Sequence, residues 1–272
     1  MTTRRKRNLF LQKLFWNPFG FILLKFYVRL RNRADYVLLN HSLDSDTNGE
    51  YWLLDNLPEN AVVLDVGFNM GDYTYQVLQR CPTANVYAFD PARAIQLAYE
   101  KKFAADKRIH FYPIGLSNES GELEFYDYDN ECSSLTRRPD AGEEKASYKV
   151  KVETLDQWGA QHGLEKIDLL KVDAEGFDAN VLEGAVELLA AGKVGLVMFE
   201  YASGWVGNRR FLCDVVKLVE DTNYEMYQLF NGFLAPFDYD VSKEKPIGRM
   251  FILTAGDGWV TKLEQKPEAA LD

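Results

Sequence analysis

The chain has 272 residues, 47% of them hydrophobic, with a formal charge of −10. That length and apolar content suit one large α/β domain with extensions. The charge is uneven: residues 1–34 hold nine of the 31 bases and no acid, which leaves 22 bases against 41 acids in the remainder. An acidic body repels a polyanion, which disfavours a nucleic-acid substrate. Cys81, Cys132 and Cys213 are scattered and form no C-x-x-C, which argues for a reducing, cytoplasmic compartment and against a structural zinc.

The basic segment interleaves Arg4, Arg5, Lys6, Arg7, Lys13, Lys25, Arg29, Arg31 and Arg33 with aromatic and aliphatic residues such as Phe10, Trp16, Phe19, Phe21, Ile22, Phe26 and Tyr27. Its longest uncharged run, Leu14 to Leu24, is interrupted by Pro18 and Gly20 and is too short to span a bilayer. No small-residue cleavage site follows it, so it does not read as a signal peptide. Two readings stand: a helical extension packing on the body with its charges solvated, or a peripheral contact with an anionic membrane or a partner. The domain expectation is an extension over residues 1–50, a catalytic-type domain over 51–260 and a polar tail over 261–272, whose end, Lys262 to Asp272, reads as frayed. Tyr36 to Trp52 reads as a polar link, and Tyr51–Leu54 as a short helix ahead of Pro58.

From Ala61 the pattern is that of alternating strands and helices. Val62–Leu64 is an unalternating apolar run, as expected of a parallel strand covered on both faces. It passes through Asp65 into a loop with Gly67, Phe68, Asn69 and Gly71, and then into a helix bearing Tyr73, Val77 and Leu78. Strand, glycine loop and helix form the arrangement that meets a nucleotide-like ligand at the carboxyl edge of an open sheet. Glycine admits close backbone approach and positive φ, and Asn tolerates the left-handed region better than most residues. The pattern D-x-G-x-N-x-G is not the dinucleotide fingerprint G-x-G-x-x-G. An acid at Asp65 suits instead a cationic ligand, the amino group and sulfonium of S-adenosylmethionine. Asp90 ends the next apolar run, where an acid can accept hydrogen bonds from ribose hydroxyls. Pro91 suits a first helical position, with a helix over residues 92–105. A third strand, Ile109 to Ile114, leads to Ser117 and Asn118, placed for an adenine edge.

Beyond Gly121 the segments Leu123–Tyr126 and Tyr148–Val152 alternate and read as an antiparallel pair. The polar loop between them, with Ser133, Ser134, Arg137, Arg138 and Pro139, has the length of a lid or of a surface excursion. Thr154 is placed to cap a helix through Trp158. The second focal segment is Ile167 to Gly176: an apolar strand ending in Lys171, Asp173 and Glu175, then a helix with Val181, Leu182, Ala185, Val186 and Leu189. Charges at the carboxyl end of a buried strand are costly without partners or solvent, which makes this a candidate site, with structural ion pairing as the alternative. A fifth strand ends in Glu200–Tyr201, a helix follows over residues 210–221, and Tyr224–Phe230 and Met250–Thr254 are further strands. Between them, residues 231–249 read as a loop whose Phe233, Phe237 and Tyr239 either wall a pocket or pack as a flap.

The segments VVLDVGFNMGDYT, VYAFDPA, VETLDQW, KIDLLKVDAEGFDANVLEGA and VMFEY together resemble the FkbM-type methyltransferases, within the class I S-adenosylmethionine-dependent fold. The resemblance runs from about Ala61 to Gly256. It departs at Asp90, where the family more often has Glu, and residues 1–50 match no part of it. It implies a Rossmann-like, seven-stranded, mostly parallel sheet with helices on both faces, and methyl transfer to a hydroxyl of a sugar, glycan or other natural-product-like acceptor. It assigns Asp65, Gly67, Phe68, Asn69 and Gly71 to the methionine moiety, Asp90 to the ribose, Ser117 or Asn118 to the adenine side, and Asp173 to the neighbourhood of the methyl. Asp173 and Glu175 are then candidate bases or substrate orienters, Lys171 tunes their charge and Glu200 completes the site. Some of these carboxylates would alternatively hold Mg²⁺. Two other readings are a cofactor-binding scaffold docked by its basic arm, and a nicotinamide oxidoreductase, which the glycine spacing disfavours.

Overall fold

Val62–Val66, Ile167–Val172 and Val194–Tyr201 are buried almost throughout and rich in Val, Ile and Leu, the signature of strands covered on both faces. In the computed structural model, which describes residues 7, 15, 18–42, 44–128, 132–138 and 141–255, they form the centre of an eight-stranded sheet. The chain divides into two compact units, Met1–His41 and Ser42–Asp272.

In the second unit the strands are β1 (Val62–Val66), β2 (Asn85–Phe89), β3 (Ile109–Tyr112), β4 (Gly115–Leu116), β5 (Gly121–Asp127), β6 (Ala146–Glu153), β7 (Ile167–Val172), β8 (Val194–Tyr201), β9 (Tyr224–Phe230), β10 (Phe233–Pro236) and β11 (Arg249–Ala255). The large sheet runs β10-β9-β11-β8-β7-β1-β2-β3. Pairings among β3, β2, β1, β7 and β8 are parallel, and β11 enters antiparallel between β8 and β9. The chain builds outward from β1 to β3 and returns to β7 on the other side of β1. The carboxyl ends of β1 and β7 therefore flank a topological switch point, where open α/β sheets bind ligands. One core cluster covers one face around Leu64, Val172, Phe199 and Trp205. A second covers the other face around Val63, Leu169, Met198 and Ile252. The antiparallel pair β5–β6, joined by β4, forms a separate three-stranded sheet, and Thr154 Oγ1 caps the helix Leu155–Gln161 by accepting from Gln157 N at 3.2 Å.

The expected α/β architecture with a mostly parallel sheet is present, with eight strands in place of seven. The added strand is β10, inside the segment read as a loop. Phe230 pairs directly with Phe233 across Asn231–Gly232, Gly232 has φ +92°, and the two rings stack at 4.7 Å. Asn-Gly is the preferred two-residue hairpin turn, and it sets this short strand in the sheet despite Pro236 at its end. Phe237 packs on Phe251 and the Tyr239 hydroxyl donates to Glu244, so both belong to the packing of this segment. The single helix expected after Gly176 is two, Asp178–Glu183 and Val186–Ala190. At the break, a Cβ on Gly184 would lie 2.0 Å from Ser117 O, so the chain is pressed against the β4 loop. The helix after β2 begins at Arg93 with Ala92 as its cap, so Pro91 lies outside it.

In the unit Met1–His41, a helix runs from Pro18 to Leu38, through the start of the segment read as a link. Phe19, Phe26, Leu30 and Val37 recur at helical spacing and are exposed, and Lys25, Arg29 and Arg33 lie four residues apart beside them. Among the described residues no helix is long and apolar enough to cross a membrane. Residues 1–6, 8–14 and 16–17, Pro139, and the tail over 261–272 lie outside the described residues.

Candidate active site

A cavity of about 320 Å³ opens at the carboxyl ends of β1, β2 and β7. Phe89, Ile95, Ile114, Leu116, Phe125 and Leu135 give it apolar walls, and Asp90, Asp127, Asp173 and Glu175 bring carboxylates to it. Gly67 and Asn69 line it with positive φ, +83° and +48°, as the loop chemistry requires. Gly67 is irreplaceable for a second reason: a Cβ there would lie 1.9 Å from Asp173 O. The β1 loop thus touches the β7 turn backbone to backbone.

Asp90 is 8% exposed, and its two oxygens accept from Asn69 N and Ala92 N, each at 2.9 Å. Burial pushes its carboxyl up to about 6, against the pull of those two hydrogen bonds. The side chain is held rigidly at the wall, with lone pairs left for a ligand's hydroxyls.

Asp65 is placed differently from the expectation. It is fully buried, accepts from Thr74 Oγ1 at 2.7 Å, and lies 3.1 Å from Lys171 Nζ. It does not line the cavity, and its charge is matched inside the fold. Lys171 also contacts Asp173 Oδ2 at 3.4 Å and donates to Gly67 O at 3.1 Å. These carboxylates keep the buried ammonium charged, raising its affinity for the proton against the cost of burial. Phe68 and Gly71 also stay out of the cavity: the Phe68 ring packs edge-on against Tyr99, Phe103 and Phe111, and Gly71 leaves room for Phe68 and Phe103. Ser117 and Asn118 lie just past the wall, which is made by Gly115 and Leu116. Asn118 instead donates to Glu183.

Asp173 lines the cavity with its side chain 40% exposed. Glu175, at φ +53°, is ion-paired with the buried Arg138. Burial and the charge of Asp173 push its carboxyl upward while Arg138 pulls it down. Ser134 Oγ contacts the carbonyls of Ala174 and Glu175, at 3.2 and 3.0 Å, so the segment 132–138 clamps this turn and supplies cavity wall. Asp178 closes the turn from within by accepting from Ala174 N and Gly176 N. Glu200 follows Phe199, the partner of Val172, which puts it beside Asp173 across the strand ends. Burial, then the charges of Asp173, Glu175, Asp178 and Glu50, push its carboxyl up to about 8. Among the described residues no group of three or more His, Cys, Asp or Glu is placed to hold a metal, so the Mg²⁺ expectation finds no ligand set.

Arg138, Ser134 and Asp178 gather at this turn without having been assigned site roles. Asp178 had a readable signal, an acid at the first turn of a helix after a glycine. Arg138 lies far along the chain from Asp173, and nothing local announces it.

The sequence model of the methyltransferase FkbM domain matches residues 65–231, from the β1 acid to the end of β9. This chain belongs to the FkbM methyltransferase family. The FkbM chain is 26% identical over 157 residues to the 2-O-methyltransferase NoeI of Sinorhizobium fredii, covering 53% of this chain and 64% of NoeI. It is 29% identical over 181 residues to the AMB antimetabolite synthetase AmbE of Pseudomonas aeruginosa, covering 53% of this chain and 8% of AmbE. It thus spans less than two thirds of the length of these relatives. Among solved structures, an S-adenosylmethionine-dependent O-methyltransferase from Thermotoga maritima aligns at 14% identity and a TM-score of 0.39, over 76% of this chain and 63% of that one.

Proposed function

We propose that this FkbM-family protein transfers the methyl group of S-adenosylmethionine to a hydroxyl of a sugar, glycan or similar natural-product acceptor. The supporting observation is the cavity at the switch point with two acids on its wall, Asp173 and Asp90, the latter fixed by two backbone donors. The donor set fits the cofactor: apolar walls for a base, a carboxylate with free lone pairs for a diol, and a glycine-bearing loop for close approach. When bound, S-adenosylmethionine supplies an electrophilic methyl on sulfur, and the difficult bond-breaking is its own chemistry.

The protein's part is positioning and proton handling. Holding reacting atoms in line supplies about 7–11 kcal/mol. Asp90 holds the ribose hydroxyls and the Gly67–Asn69 backbone receives the methionine end. Asp173 orients the acceptor hydroxyl and takes its proton, a contribution of about 10²–10⁴-fold. Lys171 fixes the Asp173 carboxylate through the 3.4 Å contact and tempers its charge. Glu200 adds a neighbouring carboxylate, and Glu175, gripped by Arg138, fixes the turn that carries Asp173.

The test is transfer of labelled methyl from S-adenosylmethionine into a cell extract, with the modified product identified. Asp173→Asn is expected to lower the rate about 10²–10⁴-fold with S-adenosylhomocysteine binding retained. Unchanged turnover in that variant refutes the role of Asp173. Wild type that binds the cofactor and labels no acceptor would support a scaffold instead.

We further propose that the basic helix Pro18–Leu38 lies on an anionic membrane surface. Its exposed Phe19, Phe26, Leu30 and Val37 beside Lys25, Arg29 and Arg33 support this reading. Each basic residue at such a surface contributes about 1 kcal/mol. Co-sedimentation with phosphatidylglycerol vesicles that disappears in high salt, and is absent with pure phosphatidylcholine, is the expected result.

A further inference from the structure

The turn that carries Asp173 is built from conformations that not all of its residues favour. Glu175 stands at φ +53° and Gly176 at φ +94°, two left-handed residues in succession. Glycine accepts that region, whereas a glutamate does so at a cost that the surrounding structure must override. A Cβ on Gly176 would lie 2.4 Å from Gly204 C, so the turn is also pressed against the chain just after β8. Side chains from three parts of the sequence hold it. The Asp178 carboxylate, 2% exposed, accepts from Ala174 N at 3.2 Å and from Gly176 N at 3.0 Å. The Ser134 hydroxyl, equally buried, lies 3.2 Å from Ala174 O and 3.0 Å from Glu175 O. Asn208 Nδ2 donates to Gly176 O at 3.2 Å. All the backbone groups so engaged belong to the three residues after Asp173. Ahead of them, Asp173 N donates to Val66 O at 3.0 Å, and Asp173 O is the atom set against Gly67. The backbone is thus fixed before and after Asp173, and the Asp173 side chain is the open group, 40% exposed on the cavity wall.

We propose that Asp178 and Ser134 are positioning residues for methyl transfer, which set the rate by holding the turn from which Asp173 reaches the acceptor. The inference rests on the methyl-transfer reading and on Asp173 as the group that meets the acceptor hydroxyl. Asp178 lies outside the cavity wall, and the Ser134 hydroxyl is committed to the carbonyls of the turn although the residue lines the cavity. Losing either hold frees a backbone that the φ of Glu175 already disfavours, so the turn relaxes and the Asp173 carboxylate moves off the acceptor. A misplacement of about 1 Å can cost about 10²-fold in rate. Ser134 also pairs backbone to backbone with Tyr126 of β5. Its hydroxyl therefore couples the small sheet, which supplies Phe125 to the cavity wall, to the acid at the end of β7.

The experiment uses the full chain, labelled S-adenosylmethionine and the cell extract. Ser134→Ala and Asp178→Asn are made alone and each in combination with Asp173→Asn. Ser134→Ala removes only a hydroxyl, and it keeps the test decisive if Asp178→Asn fails to fold. Each single variant is expected to lower the maximal rate of methyl incorporation by about 10–10²-fold. The apparent KM for S-adenosylmethionine stays unchanged, and S-adenosylhomocysteine is still bound in calorimetry. In the Asp173→Asn background neither substitution lowers the rate further, because groups that act as one unit are not additive. General structural damage would instead slow both backgrounds by the same factor, and that outcome overturns the proposal. So does a wild-type rate in the single variants, or a rate loss matched by loss of S-adenosylhomocysteine binding. If Asp173→Asn itself turns over at the wild-type rate, the role of Asp173 falls and the proposal with it. A wild-type protein that binds no S-adenosylhomocysteine and labels nothing overturns the methyl-transfer reading itself.

Discussion

Asp65 and Glu200 are both acids near the carboxyl ends of central strands, on the same face of the sheet, and their surroundings differ completely. Asp65 is fully buried, yet it has Thr74 and Lys171 against it. Glu200 is half-buried, and burial and then the neighbouring acids raise its carboxyl. The first is a finished internal contact that locks β1 to β7. The second has no ion-pair partner among the described residues, and the charges acting on it are acidic. Charge at a strand end therefore does not by itself mark a contact with substrate; what matters is whether the fold already neutralises it.

The largest effect expected from this contrast is at the finished contact. Lys171→Met leaves Asp65 buried without a cation and is expected to destabilise the domain by about 3–5 kcal/mol. For a domain of this size that lowers Tm by roughly 10 °C. Asp65→Asn combined with Lys171→Met should recover most of the loss in a thermal melt. A single variant with an unaltered melt would show that the pair is not the lock between the strands. Asp90 lies between the two cases, since it is fixed by backbone donors but faces the cavity. Asp90→Asn should weaken S-adenosylhomocysteine by about 10–100-fold, read by calorimetry, with a small change in melting.

Much of this was legible in the sequence because it is local. Period, apolar runs and glycine placement located β1, β2, β7 and β8, and the loop with Gly67 and Asn69 takes the positive φ its residue types permit. Asp90 reads from the sequence as an acid at a strand tip, and it lines the cavity. What sequence could not carry was the partner of each charge. Asp65 and Lys171 are 106 residues apart, and only the register that sets Asp65 beside Lys171 shows that they cancel. Ser117 and Asn118 follow directly on Gly115 and Leu116, which line the cavity.

The subtlest expected difference concerns pH and needs no substrate. Burial and neighbouring acids push the Glu200 carboxyl up to about 8 in the folded chain, whereas an unfolded glutamate titrates near its ordinary 4.5. Between those values the native state holds the proton more tightly than the unfolded state does. Stability from this group is therefore fully present below pH 4.5, is lost as pH rises through the window, and is gone above about 8. Glu200→Gln has no proton to lose, so it should gain on wild type steadily from pH 5 to pH 9, by on the order of 1–2 kcal/mol at the upper end. The same substitution at a neutralised acid, Asp65→Asn, should show the opposite sign throughout, because it strands Lys171. Paired melts of the two variants across that range distinguish an acid the fold has satisfied from one without an ion pair among the described residues. Parallel curves for the two would mean that Glu200 also has its partner within the chain.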